Sequence, residues 1–261
     1  MSWEDGEAEK GWTRREWVRM GMGVGTFAAI AGLGGLVTGQ LLPPPVRFSG
    51  EIRETITYVR WPTPQWWNSK DGQPVKVTDF ELWNGATGVW RGLFQDNEWV
   101  PGTGFPVIVI RVPRNATGGT EPTSADLASQ GVAPVPEGFS LAYEDLTTDT
   151  RLVVFFDRCV HLCCYPGWHV VTNPPPDYSN YVVSPPTHEV YGLDPIYCIC
   201  HGSQYDPLLL TIDTNPKNSV RYVGAGRVHG PASRALPLVP VKEQGGSLLG
   251  TMPDSRWYIY C

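Results

Sequence analysis

Two short stretches constrain this chain more than anything else in it. They are Cys159-Val160-His161-Leu162-Cys163-Cys164 and Cys198-Ile199-Cys200-His201-Gly202-Ser203. Each offers a thiol and an imidazole two or three residues apart, close enough for one loop to hold one metal ion. The fold must therefore carry two loops that are distant in sequence to one place. The first stretch directly follows the apolar run Leu152–Phe156, and the second follows a short run that includes Ile196 and Tyr197.

The rest of the chain reads as β structure. Glycine and proline (29 and 25 residues) make up about a fifth of the 261 residues, and only 18% are charged, a loop-rich balance unlike a helical bundle. Hydrophobic residues at 41% are ample for a core. The net charge of −6 gives no electrostatic footprint for nucleic acid. Short β-branched and aromatic runs bounded by turn residues are predicted strands: Thr55–Val59, Val75–Val77, Val107–Val112, Leu152–Phe156, Val220–Val223, Leu236–Val241 and Trp257–Tyr260. Trp61, Trp66, Trp67, Trp83, Trp90 and Trp99 crowd the region before the first strong strand and read as core and edge packing. Arg114–Ser140 and Asn173–Pro186, rich in Gly, Pro, Ser and Thr or in proline pairs, read as insertions.

The N-terminal part has another character. Met20–Leu42 carries no formal charge over 23 residues. As a helix it spans roughly 34 Å, slightly more than a ~30 Å hydrocarbon core. Lys10, Arg14, Arg15 and Arg19 flank it on one side, which predicts a cytoplasmic N-terminus and an extracytoplasmic remainder. Thr13–Arg19 is similar to a twin-arginine export signal, which carries folded, cofactor-loaded proteins. The predicted organisation is a cytoplasmic N-terminus over 1–19, an uncleaved transmembrane helix over 20–42, a connector over 43–54 opened by Pro43-Pro44-Pro45, and one β domain over 55–261. The expected location is the cell membrane of a prokaryote.

A tetrahedral zinc site would suit the Cys/His set. So would a [2Fe–2S] centre with two Cys on one iron and two His on the other. The two motifs, Cys-x-His-x-x-Cys and Cys-x-Cys-His-Gly-Ser, resemble those of Rieske iron–sulfur proteins from quinol-oxidising cytochrome bc and bf complexes. The resemblance covers the anchor and roughly Leu152–Val239. It implies an all-β, Rieske-like antiparallel domain with a cluster-binding part at about 157–239. It implies one [2Fe–2S] cluster, with Cys159 and Cys198 on one iron and His161 and His201 on the other. It further implies a Cys164–Cys200 disulfide, hydroxyls of Ser203 and Tyr205 bonded to cluster sulfur, and a covering proline loop at Gly230-Pro231-Ala232. His201 and His161 are then the contacts for quinol and the outgoing electron. The implied partners are a cytochrome b-type membrane subunit, a cytochrome c or other small carrier, and quinol. A competing expectation is the Rieske small subunit of an arsenite-oxidase-type molybdenum enzyme, since such subunits share both motifs and the export signal.

The chain departs from the family pattern at Val160, where Thr is usual, and at Cys163, where Gly is usual. The second departure leaves Cys163 and Cys261 over, and in an oxidising compartment these two can pair. The stretch between His161 and Cys198 is also longer than usual. His169, His188 and His229 stand outside both motifs and read as surface or loop residues. They supply no second iron site of the kind an oxygenase needs.

Overall fold

The structure is a computed structural model that describes residues 50–96, 98–116, 119–168 and 196–259. The export signal, the predicted membrane helix, most of the connector, the Asn173–Pro186 insertion, His169, His188 and Cys261 lie outside the described residues. Among the described residues no helix is long and apolar enough to cross a membrane.

The described chain is built almost wholly from antiparallel strands: β1 (Glu51–Ile52), β2 (Thr57–Tyr58), β3 (Gly85–Trp90), β4 (Leu93–Gln95), β5 (Glu98–Trp99), β6 (Phe105–Pro113), β7 (Ala142–Asp145) and β8 (Thr150–Phe156), then β9 (Gly167–Trp168), β10 (Ile196–Tyr197), β11 (Gln204–Thr214), β12 (Arg221–His229), β13 (Leu236–Pro237), β14 (Val241–Gln244) and β15 (Ser247–Gly250). One five-stranded sheet runs β2-β3-β6-β8-β7, and a second runs β13-β12-β11-β10-β9. A three-stranded sheet, β1-β4-β5, and the hairpin β14-β15 complete the set. The predicted all-β class therefore holds for the described residues.

The central strands explain themselves chemically. Every residue of β3 and β8 is buried, and most of β6 is too. Strands covered on both faces read as continuous apolar runs rather than alternating ones, as Leu152–Phe156 does. Side chains such as Leu152, Val154 and Phe155 are fully buried, each contributing about 1.5–3 kcal/mol of transfer free energy. The two five-stranded sheets share one core. Val239 N–H donates to Val154 C=O at 2.8 Å, and Phe155 bridges Leu238. The sheet that ends in the first Cys/His loop is thus tied to the segment following β13.

Three predicted strands are corrected, the first being Leu236–Val241, which is split between β13 and the first residue of β14. Val75–Val77 ends in a 3₁₀ turn at Val77–Asp79. Val75 N–H and C=O are taken by Ile56 and Leu248, so the residue cross-links neighbours without forming a ladder of its own. Over the described part of Trp257–Tyr260 there is a 3₁₀ turn, Ser255–Tyr258, capped by the Asp254 side chain on Arg256 N–H at 2.9 Å. Its aromatic residues are there to be buried: Tyr258 packs edge-on against Phe156 at 5.1 Å. The supposed insertion Arg114–Ser140 contains a helix, α1 (Ser124–Ser129), started by a capping box between Thr123 and Asp126 and pinned by buried Leu127. The tryptophan cluster is core and edge packing. Trp90 and Trp67 are buried, and Trp66 meets Trp67, Tyr58 and Phe80 edge-on.

Candidate metal centre

Strand register places both Cys/His motifs at one edge. Gly167 pairs with Tyr197, Tyr197 with Gln204, and Gln204 with His229, giving a row of four residues across β9, β10, β11 and β12. Three loops leave from that row: residues 157–166 enter β9, 198–203 join β10 to β11, and 230–235 follow β12. Motifs separated by dozens of residues become neighbours because the strands that carry them are antiparallel and adjacent.

The two motif loops have the same backbone. Cys159 N–H donates to Cys164 C=O at 2.8 Å, and Cys163 N–H to Cys159 C=O at 2.9 Å. In the second loop Cys198 N–H donates to Ser203 C=O at 2.8 Å, and Gly202 N–H to Cys198 C=O at 2.9 Å. The fifth residue of each is left-handed, with φ of +62° at Cys163 and +74° at Gly202. The first residue of each, Cys159 or Cys198, is a fully buried free thiol.

These two thiols face each other. Their sulfurs share a hydrogen bond, and this bond with Cys198 is the largest cause that holds the Cys159 thiol below its ordinary range. Tyr205 adds its hydroxyl 3.2 Å from Cys159 Sγ, with Ser203 and the His161 N–H as further donors. Cys198 is pushed up, first by the same shared bond and then by burial, although Cys200 and His201 N–H groups point at its sulfur. Burial, and next the neighbouring Cys159 charge, raise the Tyr205 hydroxyl well above its usual range, so it stays a donor. The two imidazoles also meet, with ring centres 4.7 Å apart at 87°. His161 Nδ1 is buried without a hydrogen-bond partner, which is costly for a lone ring nitrogen and fits a metal ligand atom.

Cys164 and Cys200 form a disulfide that joins the loops across 36 residues. The sulfurs of Cys164, Cys198 and Cys200 all lie within 4.8 Å of one another. Of these three only Cys198 is a thiol, since Cys164 and Cys200 are joined to each other. Cys163 is not among the free thiols, and the other end of the suggested Cys163–Cys261 pair lies outside the described residues.

The third loop closes on the second. Ala232 N–H donates to Ser203 Oγ at 3.1 Å. At Gly230, φ is +86°, and an added Cβ would sit 2.5 Å from Ser203 Cα. Only glycine allows that approach. Arg227 donates to Gly230 C=O at 2.8 Å and fixes the bend.

The described residues named from the sequence for the cluster lie in these three loops or at the start of β11 beside them. Sequence reasoning missed Arg227, and also Arg158, which donates to Cys163 C=O at 3.1 Å while stacking on Tyr165. An arginine three residues before an expected bend, as Arg227 is before Gly230, is the sort of signal that marks a loop clamp. His229 is a correction: it ends β12, half-buried opposite Gln204, rather than lying in a surface loop. Val160, the departure from the usual Thr, is buried and offers its backbone N–H to the Tyr205 hydroxyl. The chain matches no protein-family model and no curated protein. An all-β domain with a cysteine group able to hold a metal is compatible with a Rieske-like domain.

Proposed function

We propose that this protein is a membrane-anchored Rieske [2Fe–2S] subunit of a quinol:cytochrome c-type oxidoreductase, with the β domain outside the membrane. Cys159 and Cys198 would hold one iron, and His161 and His201 the other. The single observation that carries the reading is the convergence of two buried thiols and two imidazoles from two like loops that a disulfide fastens together. When bound, the cluster supplies one-electron redox chemistry at a potential set by its surroundings.

The chain's own residues do the rest. Tyr205 and Ser203 place hydroxyls beside Cys159, where they favour negative charge on sulfur. His201 is exposed and His161 half-buried. Were Nδ1 of His161 to hold the metal, as its burial without a partner suits, Nε2 would be the ring nitrogen left to exchange a proton with a quinol hydroxyl. Leu162 (62% exposed) and Ile199 (61% exposed) flank the two histidines and offer apolar contact to a cytochrome b-type subunit.

An EPR-monitored redox titration in native membranes tests this reading. A rhombic Rieske signal that shifts when a quinol-site inhibitor is added is the expected result. A signal indifferent to the inhibitor points instead to a soluble molybdenum partner of the arsenite-oxidase type. No signal, with zinc found by elemental analysis, overturns the reading.

A further inference from the structure

One sequence motif has no part in the metal centre. Asn115-Ala116-Thr117 fits Asn-x-Ser/Thr with x other than proline, the acceptor pattern for N-linked glycans, and no other asparagine of the chain fits it. The motif is useful only on a surface turn whose asparagine amide the fold does not need. Asn115 is exposed and sits in the turn that follows β6. The chain bends again at once, with Gly119 N–H donating to Ala116 C=O at 3.0 Å. The Asn115 amide donates to the Asp149 carboxylate at 3.2 Å, and that side chain is 65% exposed, so water replaces the bond at little cost. Asn68, Asn215 and Asn218 differ. Each donates its amide to a backbone carbonyl, that of Trp61 in the first case and of Arg256 in the other two. Their amides tie segments together, whereas that of Asn115 holds nothing the fold depends on.

We infer that Asn115 carries an N-linked glycan. Its formation joins Asn115 Nδ2 to the anomeric carbon of a sugar and breaks that carbon's bond to the phosphate of a lipid-linked oligosaccharide donor. The lipid phosphate leaves with the bonding pair, the amide gives up one proton, and nothing is oxidised or reduced. The place suits a bulky polar graft. Pro113 faces Thr150 at the start of β8, while Phe156 at its other end leads into the first Cys/His loop. Six steps along a strand cover about 20 Å, so the glycan stands at the end of the sheet remote from that loop. Charged side chains surround it, Arg114 pairing with Glu144 and Asp149, whereas the exposed apolar Leu162 lies on the loop itself. The inference rests on the extracytoplasmic placement of the β domain proposed above, because the acceptor must face the side of the membrane where the donor displays its sugar.

Mass spectrometry of the full chain purified from native membranes is the test. The peptide holding Asn115 is expected to be heavier by a whole number of sugar residues, with the sugar on Asn115. Asn115→Gln and Thr117→Ala should each lose the whole increment, and Thr117→Ser, which keeps the hydroxyl, should retain it. A membrane-impermeant amine reagent applied to intact spheroplasts reads the placement separately, through the exposed Lys76. Lys76 labelled while Asn115 is bare overturns the inference and leaves the placement standing; Lys76 unlabelled and Asn115 bare overturns both. An increment that survives in Asn115→Gln or in Thr117→Ala also overturns the inference.

Discussion

The two Cys/His loops share one backbone and divide the labour through their side chains. In both, the first residue is a buried cysteine and the fifth is left-handed. Beyond that they part. In the first loop the third residue is His161, half-buried with an enclosed Nδ1, and the sixth is Cys164, which reaches across to the other loop. In the second loop the third residue is Cys200, which receives that disulfide, and the fourth is the exposed His201. Its sixth, Ser203, bonds the proline loop and Cys159. The repeated backbone brings two buried thiols together beside a cysteine group able to hold a metal. The differing third, fourth and sixth positions leave one histidine half-buried and the other exposed.

The largest expected effect would break the symmetry outright. On the proposed reading, Cys159→Ser and Cys198→Ser each abolish bound iron, as measured by elemental analysis and visible absorption. Iron retained by either variant would mean that the two first positions are not equivalent ligands. Cys200→Ser removes the only described covalent tie between the loops. Its expected cost is about 2–4 kcal/mol, seen as a lowered thermal midpoint in non-reducing buffer. An unchanged midpoint would mean that the loops are held by their backbone bonds alone.

The glycines sharpen the comparison further. Gly230→Ala meets both a left-handed φ and the backbone of Ser203, so a loss of roughly 2–4 kcal/mol is expected in denaturant unfolding. Gly202→Ala meets only the strain, because the nearest atom to its Cβ, Tyr197 Oη, is 3.6 Å away. About 1–2 kcal/mol is expected there, comparable with what the first loop already tolerates at Cys163. Equal losses at the two glycines would show that crowding at Gly230 is relieved by movement.

The smallest expected effect concerns the sheet that carries only the first loop. In that sheet, Asp145 accepts from Arg111 at 2.9 Å, and chiefly this bond holds its carboxyl below the ordinary ~3.9. Because the folded value is the lower one, the stabilisation is complete above about pH 4–5 and disappears as pH falls through the folded value. The side chain is 20% exposed, so under about 1 kcal/mol is at stake. Asp145→Asn should flatten this part of the acid unfolding curve; an acid limb identical to wild type would show that the pair contributes nothing.

The two Cys/His loops were legible because their pattern is local: six consecutive residues carry the thiols and imidazoles, and both loops close in the same turn. The long strands β6 and β8 were legible for a similar reason, since fully buried strands are unbroken apolar runs. What could not be read depends on residues far apart. Strand β3, Gly-Ala-Thr-Gly-Val-Trp, has no β-branched run and is a strand because β2 and β6 pair with it on both sides. Strand β11 begins in the polar tail of the second motif and passes Pro207, with register shifts before Leu210 that hide its alternation. Val75–Val77 and the C-terminal aromatics look like strand residues, yet they are buried by turns, because burial and ladder formation favour the same residue types.

The rung between Trp168 and Ile196 has a use of its own. The described residues of the second sheet stop at Trp168 and resume at Ile196, which face each other directly across the ladder. Facing residues in such a pair sit roughly 5 Å apart, the separation that a guest protein with adjacent termini needs for splicing. A fluorescent or affinity module grafted between Trp168 and Ile196 would enter and exit through a preformed clasp, giving a traceable protein whose Cys/His loops, at the opposite end of β9 and β10, are untouched.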